Sequence, residues 1–279
     1  MPTINAWLNS AKNQLIINNI PSPVLDSELI LAHAYNKSRT YLHANNELEI
    51  PHDISSIADK NIKKRSNHMP IAYITGHKEF YGRDFIITSD TLIPRPESET
   101  IIDVLKQIPT SHFPIPNPQL VDVGTGSGCL GITIKKELPN MSVTLSDISD
   151  PALQIAQINA DNNSAVVKII NSDLLKNIDM IPNIIVANLP YVDKSWQRSP
   201  ETNYEPSLAL FAQDGGMQII KRLIDQANNK LAPNGYLIIE ADPEQHEQLI
   251  NYSEKKSFKL IESIGYIITL QITKKLSTK

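Results

Sequence analysis

The first quarter of the chain places hydrophobic residues at helical spacing. One such stripe contains Trp7, Leu8, Ala11, Leu15 and Ile16. It predicts an amphipathic helix that ends before Pro21. Ser22-Pro23 is typical of a helix start with proline in the first turn, which predicts a second helix through about Tyr35. With a third helix predicted over 53–66, residues 1–75 are expected to form a small helical domain.

The second predicted helix carries an acidic residue on its apolar face. The apolar members of that face are Val24, Leu25, Leu29, Leu31, Ala32 and Tyr35. Glu28 falls among them, and a buried carboxylate needs a partner. A salt bridge within the bundle is the favoured interpretation, and an opening to solvent is the alternative. In the last turn of the third helix, Lys63-Lys64-Arg65 favours a solvated helix end over a basic contact patch.

Aromatic and β-branched residues are dense over residues 80–87. They predict a β-hairpin with its turn at Gly82-Arg83-Asp84, in a linker over residues 76–95 that joins two domains. A helix with acidic residues in its first turn is predicted next, over 97–107. Two prolines flank Arg95 and make its loop rigid, so Arg95 is a candidate substrate contact. A packing or salt-bridge role is the alternative for this residue.

Beyond a surface loop predicted at the proline-rich residues 111–118, strands alternate with helices. The predicted strands cover residues 119–123, 142–146, 166–170, 184–187, 236–240, 258–261 and 266–273. The predicted helices cover residues 130–137, 151–162, 215–231 and 243–255. This alternation predicts an α/β fold, a doubly wound parallel sheet within a domain over residues 96–279.

One predicted strand ends abruptly in Asn188-Leu189-Pro190-Tyr191. Its four apolar residues suit a strand that is buried on both faces of a parallel sheet, and Pro190 cannot continue the ladder. Ligands of open α/β sheets bind beyond the carboxyl ends of such strands. The Asn188 side-chain oxygen and the Pro190 carbonyl can accept the two hydrogens of an amino group, and Tyr191 can stack on a flat group. A plain exit from strand to loop is the alternative.

A glycine-rich loop, Gly124-Thr125-Gly126-Ser127-Gly128, follows the first strand of the same domain. Glycine lets a backbone turn sharply and approach a ligand closely. The dinucleotide fingerprint would need a glycine where Cys129 stands, so this loop suits a nucleoside ligand that lacks a pyrophosphate.

Acidic residues mark three strands around this loop. Asp147 ends the second strand, where an acidic side chain accepts from ribose hydroxyls, and Asp173 follows the third strand, where it could contact an adenine amine. Asp122 lies within the first strand and could orient the loop or meet a cationic part of the ligand. Together with Asn188, these residues predict an S-adenosylmethionine site beside a nitrogen nucleophile.

Composition narrows the class of protein. The chain has 279 residues, a net charge of −4 and one cysteine, Cys129. The acidic balance argues weakly against a partner held through many phosphates, and a single cysteine permits no intrachain disulfide. No apolar run approaches membrane length, no signal peptide is apparent and the seven histidines lack zinc spacing, so we expect no metal and a cytoplasmic protein.

The motifs resemble those of a known family. The glycine loop, the acidic strand ends and Asn-Leu-Pro-Tyr are similar to the class I S-adenosylmethionine-dependent methyltransferases, whose amino-group enzymes carry Asn/Asp-Pro-Pro-Tyr. Four blocks resemble the release factor glutamine methyltransferase family over nearly the whole chain. The blocks are Pro70 to Gly82, Leu92 to Glu99, Asp122 to Gly128 and Glu205 to Phe211. The first two are the specific ones, since other methyltransferases lack them.

This resemblance implies a Rossmann-like class I methyltransferase sheet, preceded by a helical domain that helps to grip the substrate. The implied substrate is the glutamine of the Gly-Gly-Gln motif in peptide chain release factors. By family similarity, Gly124, Gly126, Asp147 and Asn188 contact cofactor or substrate, and the segment from Asn188 to Tyr191 holds the target glutamine. The cofactor site is expected to comprise Asp122, Gly124, Thr125, Gly126, Gly128, Asp147, Asp173 and Asn188.

The sequence departs from the family pattern at two places. Leu189 stands where the catalytic motif usually has proline, which leaves the backbone less constrained. Glu240-Ala241-Asp242 stands where the family has Glu-Ile-Gly, and the missing glycine could alter the chain direction near the site. The Asn, the second Pro and the Tyr of the catalytic motif remain, and the second departure is not expected to inactivate the protein.

Two rival functions stay open. Asn-Leu-Pro-Tyr also occurs in ribosomal RNA adenine dimethyltransferases, so the alternative enzyme is an rRNA or DNA amino-group methyltransferase. A binding protein that keeps the fold without catalysis is the second rival, supported only by the two departures. The favoured hypothesis remains a protein-glutamine methyltransferase that acts as a monomer on release factors, with no direct nucleic-acid partner.

Overall fold

A computed structural model describes residues 1–109, 113 and 117–273 of the chain. Most of the predicted loop at 111–118 therefore lies outside the described residues. The described chain divides into two compact units: Met1–His77 with Arg198–Tyr204, and Lys78–Gln197 with the residues from Glu205 onward. The first unit is helical, and the second contains the sheet.

Five helices form most of the first unit. They are α1 (Ile4–Ile17), α2 (Pro23–Tyr35), α3 (Arg39–Ala44), α4 (His52–Ser66) and α5 (Ile71–Thr75). The Thr3 hydroxyl caps α1 by accepting from the Ala6 amide, and Pro23 opens α2 as predicted. The sequence pattern missed α3 and α5, because helices of six and five residues are too short to show a period.

The buried face of α2 differs from the predicted one. Val24 and Leu25 are 48% and 41% exposed, whereas Asp26 and Glu28 are buried beside Ile30. Glu28 accepts from the guanidinium of Arg39 on α3 at 2.5 Å, which confirms the predicted salt bridge within the bundle. The buried face of α2 differs from the prediction because it contains these two acids. Their cationic partners lie on other helices, so the sequence pattern of α2 alone does not indicate them.

The prediction of a solvated end for α4 is wrong at Arg65. Lys63 and Lys64 are exposed, but Arg65 is 3% exposed. Its guanidinium donates to Asp26 and to Glu201, each at 2.6 Å. Arg65 is buried because its charge is neutralised on both sides.

The second unit begins at Lys78, within the predicted hairpin that is formed by β1 (His77–Phe80) and β2 (Arg83–Ile86). The turn lies at Tyr81 and Gly82, one residue earlier than predicted, and both residues have positive φ. This geometry matches the right-handed twist of the two strands. Arg83 and Asp84 therefore belong to β2 and not to the turn.

A seven-stranded sheet forms the core of the second unit. Its strands are β3 (Gln119–Val123), β4 (Ser142–Asp147), β5 (Lys168–Asn171), β6 (Ile184–Asn188), β7 (Tyr236–Glu240), β8 (Phe258–Ile264) and β9 (Ile267–Ile272). The spatial order is β5-β4-β3-β6-β7-β9-β8. The first five are parallel, as predicted, but β9 runs antiparallel to β7 and to β8. Two residues join β8 to β9, and a parallel connection would require a long crossover.

Within the described residues, six α-helices accompany the sheet. They are α6 (Glu99–Gln107), α7 (Cys129–Glu137), α8 (Asp150–Asn162), α9 (Ser207–Leu210), α10 (Gln218–Lys230) and α11 (His246–Glu254). A 3₁₀ turn, Pro96–Ser98, leads into α6, and α10 starts three residues later than predicted. None of the described helices is long and apolar enough to cross a membrane.

The topology places a cleft at one edge of the sheet. From β3 the chain winds outward through β4 and β5, and it then returns to β6 on the other side of β3. The carboxyl ends of β3 and β6 flank this reversal, which is where open α/β sheets bind ligands. Every residue of β7 is buried, and β3 and β6 each have only one half-buried end residue.

Candidate active site

The glycine loop leaves β3 in a conformation that glycine favours. Gly124 and Gly126 have φ of 72° and 54°, and a Cβ on Gly126 would meet no atom within 4 Å. The amides of Gly124 and Thr125 both donate to the Ser146 carbonyl, at 2.8 and 3.0 Å. The loop is thus bound to β4, while its Gly126 face stays open.

Asp147, at the end of β4, holds the same loop. Its two carboxylate oxygens accept from the amides of Gly126 and Ser149, at 2.9 and 3.0 Å. Each oxygen has a second lone pair that can accept from a ligand hydroxyl. Burial raises the pKa of Asp147, and these amide donors oppose that shift.

Asp122 is buried beneath the loop and orients it. One carboxylate oxygen accepts from the Thr125 hydroxyl at 2.6 Å and from the Gly131 amide at 2.9 Å. Burial raises its pKa to about 6, although both hydrogen bonds favour the charged form. Of the two roles left open by the sequence, loop orientation is the one that these contacts provide.

The residues of Asn188-Leu189-Pro190-Tyr191 lie beyond β6, with their side chains held by different neighbours. The Asn188 amide nitrogen donates to the Ser98 hydroxyl at 2.9 Å, and the Tyr191 hydroxyl donates to Glu240 at 3.1 Å. Ser98 in turn donates to the other oxygen of Glu240 at 2.5 Å. Four side chains, from the 3₁₀ turn Pro96–Ser98, β6, the segment after β6, and β7, therefore form one hydrogen-bonded network.

Leu189 belongs to the hydrophobic core beneath the loop. It is 5% exposed, and its Cδ2 atom would lie 2.7 Å from a Cβ on Gly124. A Cβ at position 124 would therefore displace the Leu189 side chain, in addition to the strain of its φ angle. The close packing constrains Leu189 where the family has the rigid ring of proline.

Asp242, the second departure from the family pattern, does not need the missing glycine. Its φ of −64° is open to any residue, and its carboxylate accepts from the Glu244 amide. Gln245 completes a capping box and donates to the carbonyls of Tyr191 and Gly215, at 2.8 and 2.6 Å. The segment after β7 thus supports the backbone of the Asn188–Tyr191 motif.

Two candidate residues have partners that the sequence did not indicate. Both oxygens of Asp173 accept from Arg222, at 3.0 and 2.8 Å. Arg95 forms an ion pair with Glu205, which is 6% exposed and also accepts from the Ile93 amide. The salt-bridge alternative therefore describes Arg95 in this structure, and its contact with a substrate stays a prediction.

The cleft brings most of the candidate residues together. Its lining includes Asp122, Gly124, Thr125, Gly126, Asp147, Asp173, Asn188, Leu189 and Pro190. Gly128, Tyr191 and Arg95 do not line it. The carboxylates of Asp122, Asp147 and Asp173 suit a ligand that combines a positive charge with hydroxyl and amine groups. No cluster of metal-ligating side chains occurs among the described residues.

Sequence reasoning missed Ser98, Arg222 and Gln245, and it treated Glu240 only as part of a departure from the family pattern. Glu240 had one local signal: a carboxylate ends a strand whose preceding residues, Leu237, Ile238 and Ile239, are all apolar. A buried carboxylate at such a place calls for a partner. Ser98 and Arg222 gave no comparable signal, since their partners are distant in sequence.

Two family models match this chain. The PrmC N-terminal domain matches residues 6–76, and the methyltransferase small domain matches residues 98–202. A release factor glutamine methyltransferase of Koribacter versatilis is 38% identical, over 98% of this chain and 99% of that protein. A bifunctional methyltransferase of Rickettsia bellii is 34% identical over 88% of this chain, which spans about half of that longer protein (50%).

Solved structures show the same fold at low identity. A 16S rRNA methyltransferase of T. thermophilus, in complex with AdoMet and guanosine, superposes with a TM-score of 0.51. The match covers 71% of this chain and 50% of that one, at 15% identity. At such identity, the likeness concerns the fold of the sheet domain alone.

Proposed function

The chain belongs to the family of release factor glutamine methyltransferases, and on this basis we propose that it methylates a release factor. In this reaction the methyl C–S bond of S-adenosylmethionine breaks to leave S-adenosylhomocysteine, the methyl group bonds to the side-chain amide nitrogen of the glutamine in the Gly-Gly-Gln motif, and that nitrogen releases one proton to solvent. One observation supports this most directly: the Asn188–Pro190 segment lines the same cleft as the glycine loop. A nitrogen acceptor and a nucleoside cofactor can therefore meet there.

The residues around the cleft fit S-adenosylmethionine. Gly124, Gly126 and Gly128 give the loop the tight turn that brings its backbone close to the cofactor, and Thr125 lies between them. Asp147 accepts from the ribose hydroxyls, Asp173 accepts from the adenine amine, and Asp122 orients the loop while its charge attracts a cation. The open face of Gly126 leaves space for the ligand. When bound, the cofactor supplies an activated sulfonium methyl group.

The substrate amide is a poor nucleophile, because its lone pair is delocalised into the carbonyl. In our proposal the Asn188 side-chain oxygen and the Pro190 carbonyl accept its two hydrogens and aim its nitrogen at the methyl group. Positioning of this kind is worth several kcal/mol, on the order of 7–11 kcal/mol in favourable cases. The two acceptors also stabilise the positive charge that grows on the nitrogen.

In this proposal Tyr191 acts through its aromatic ring and does not act as a base. Burial and the neighbouring charge of Glu240 raise the pKa of Tyr191 above its ordinary value of 10.0. The hydroxyl therefore stays protonated at neutral pH and donates to Glu240. This leaves the aromatic face to pack against the planar glutamine amide, with Leu189 fixing the chain direction between Asn188 and Pro190.

The division of labour between domains is part of the same proposal. In this proposal the helical domain predicted over residues 1–75 grips the release factor, residues 76–95 are the linker, and residues 96–279 are the methyltransferase domain, apart from Arg198–Tyr204, which belong to the helical unit. Arg95 is a further substrate contact. We propose a monomer that binds no nucleic acid directly and works in the cytoplasm, where release factors meet the ribosome.

A transfer assay tests the proposed reaction. The protein is incubated with tritiated S-adenosylmethionine and an unmethylated release factor, alongside a variant factor whose motif is Gly-Gly-Ala. We expect label in the first factor and none in the second. Label in neither factor, with label in RNA, would establish the rRNA alternative. Cofactor binding without transfer to any substrate would establish the non-enzymatic binding protein.

A further inference from the structure

The sheet places two polar residues side by side at its carboxyl edge. Asn188 and Glu240 are register partners at the ends of the parallel strands β6 and β7. Residues paired in this way project on the same face of a sheet. Ser98, from the 3₁₀ turn before α6, bonds to both side chains.

The direction of each hydrogen bond in this network follows from the number of hydrogens that each group can donate. Glu240 is 1% exposed, and its two oxygens accept separately from Tyr191 and Ser98. A serine hydroxyl has one proton, so Ser98, which gives that proton to Glu240, can only accept from Asn188. The nitrogen of the Asn188 amide must therefore face Ser98, and its oxygen must face away from Ser98.

We propose that Ser98 and Glu240 are positioning residues that fix the Asn188 side-chain amide with its oxygen available to the substrate amide. This inference rests on the proposed function for its catalytic consequence. A reversed Asn188 amide would present its NH₂ group to the substrate NH₂ group, and neither could accept. The network thus selects the one orientation of Asn188 in which it can aim the nucleophile.

The two oxygens of Glu240, which both accept, maintain this direction. Burial raises the pKa of Glu240, whereas the hydrogen bonds from Ser98 and Tyr191 lower it. Its isosteric amide would offer an NH₂ group to Ser98, which could then send its own proton towards Asn188. Glu240→Gln therefore removes one of the two acceptor oxygens with almost no change in volume, and with its NH₂ group towards Ser98 the hydrogen bond between Ser98 and Asn188 runs in the opposite direction.

The hydrogen-bonded chain from Glu240 through Ser98 to Asn188 is called the relay below. Kinetics of two variants test it in the full-length protein. Ser98→Ala and Glu240→Gln should each lower kcat for the release factor by roughly tenfold to a hundredfold. The dissociation constant of S-adenosylmethionine should stay within about threefold, because neither side chain belongs to the proposed set of cofactor-binding residues. Ser98→Thr keeps the hydroxyl and should recover most of the lost turnover.

A double variant separates the relay from two independent effects. Glu240 acts on Asn188 through Ser98, so adding Glu240→Gln to Ser98→Ala should cost much less than it does alone. The matched control is Ser253→Ala, which removes another buried serine hydroxyl, one that donates to the Ile250 carbonyl within α11. It should leave kcat unchanged. Wild-type turnover in Ser98→Ala, or fully multiplicative losses, would overturn the proposal.

An NMR measurement tests whether the relay is present in the absence of substrate. In ¹H–¹⁵N spectra, the Asn188 side-chain NH₂ group, assigned from its loss in Asn188→Asp, should exchange slowly with solvent. The protection should disappear in Ser98→Ala. If the wild type methylates no release factor, the proposed function fails, and this protection still decides whether the relay exists. If transfer occurs but Asn188 is unprotected, the relay is wrong and the function stands.

Discussion

At the scale of single residues, the position of Asn188 allows its proposed role to be tested by substitution. Its side chain lines the cleft and donates to Ser98, which lines the same cleft. In the proposed reaction its oxygen acts on the nucleophile, while the remaining cofactor contacts come from the glycine loop and the acidic strand ends.

Asn188→Ala should therefore lower kcat by roughly a hundredfold to a thousandfold, the cost of losing one preorganised polar contact to the reacting group. Cofactor affinity, measured by calorimetry, should change much less. Asn229→Ala, which alters an exposed asparagine on α10, is the control for loss of an amide and should leave kcat unchanged. Equal losses of turnover and affinity in Asn188→Ala would contradict the role proposed for this residue.

Asp122 makes stability depend on pH in a defined direction. Its pKa is about 6 in the folded chain, against an ordinary value of 3.8, so the folded state binds the proton more tightly. The resulting stabilisation is fully present below pH 3.8 and is lost as the pH rises through 6. At 1.36 kcal/mol per pKa unit, it amounts to at most about 3 kcal/mol.

Urea unfolding of the wild type and of Asp122→Asn, at several values of pH between 4 and 7, measures this effect. The asparagine does not titrate, so the wild type should lose free energy of unfolding relative to the variant as the pH rises. Parallel pH profiles would show that Asp122 does not have the raised pKa.

At the scale of elements, close packing at Gly216 supports the segment after β6. Gly216 has a φ of 85°, and a Cβ there would clash with the Tyr191 carbonyl. The same carbonyl accepts from Gln245. Close packing at Gly216, in the loop before α10, and the hydrogen bond from Gln245, the residue before α11, therefore both constrain the Tyr191 carbonyl.

Gly216→Ala should displace the Tyr191 backbone and lower kcat by roughly tenfold or more, since small misplacements of catalytic groups are costly. Gly265→Ala is the matched control: its φ of 56° gives it a similar backbone penalty, about 1–2 kcal/mol, but a Cβ there meets no atom within 4 Å. Thermal unfolding and kcat separate the two effects. If both variants lose only stability, the packing at Gly216 does not position the motif.

At the scale of the whole molecule, buried ion pairs organise the helical unit. Arg65 joins Asp26 of α2 to Glu201, which belongs to the segment Arg198–Tyr204 of the same unit. Tyr204 donates to the Asn67 carbonyl at 2.6 Å and adds a second attachment for this segment. A stretch that follows the Asn188–Tyr191 motif in the chain is thus part of the helical unit.

Arg65→Met should destabilise the helical unit by about 3–5 kcal/mol, because Asp26 would stay buried without its cationic partner. Hydrogen exchange of peptides from α2 and α4 measures the loss of protection. Lys64→Met, at an exposed neighbouring position, is the control and should have little effect. Adding Asp26→Leu to Arg65→Met should recover part of the stability, and failure to do so would argue against an uncompensated charge as the cause.

Much of this architecture could be predicted from local pattern. Continuous apolar runs, separated by segments with a helical period, predicted every strand from β3 to β9. The two signals can be distinguished because strands and helices bury faces with different repeats. The pattern placed the start of β5 at Val166, two residues early, and Val166 is 85% exposed. Such boundary errors arise because burial, and not composition alone, decides where a strand begins.

The chemistry of the motifs was equally local. The glycine loop, Asp147 and Asn188-Leu189-Pro190-Tyr191 are contiguous signals at strand ends, and the parallel topology brings strand ends to one edge. The sequence by itself therefore determined the fold class, the family and nine of the residues that line the cleft.

Only the tertiary structure decided which polar groups meet. Ser98 and Glu240 are 142 residues apart in the chain, and Arg65 and Glu201 are 136 apart. The partner of a buried charge depends on how distant elements pack, and a local period carries no information about that packing. For the same reason the sequence misjudged the buried face of α2 and the exposure of Arg65, and it identified Asn188 without the network that orients it.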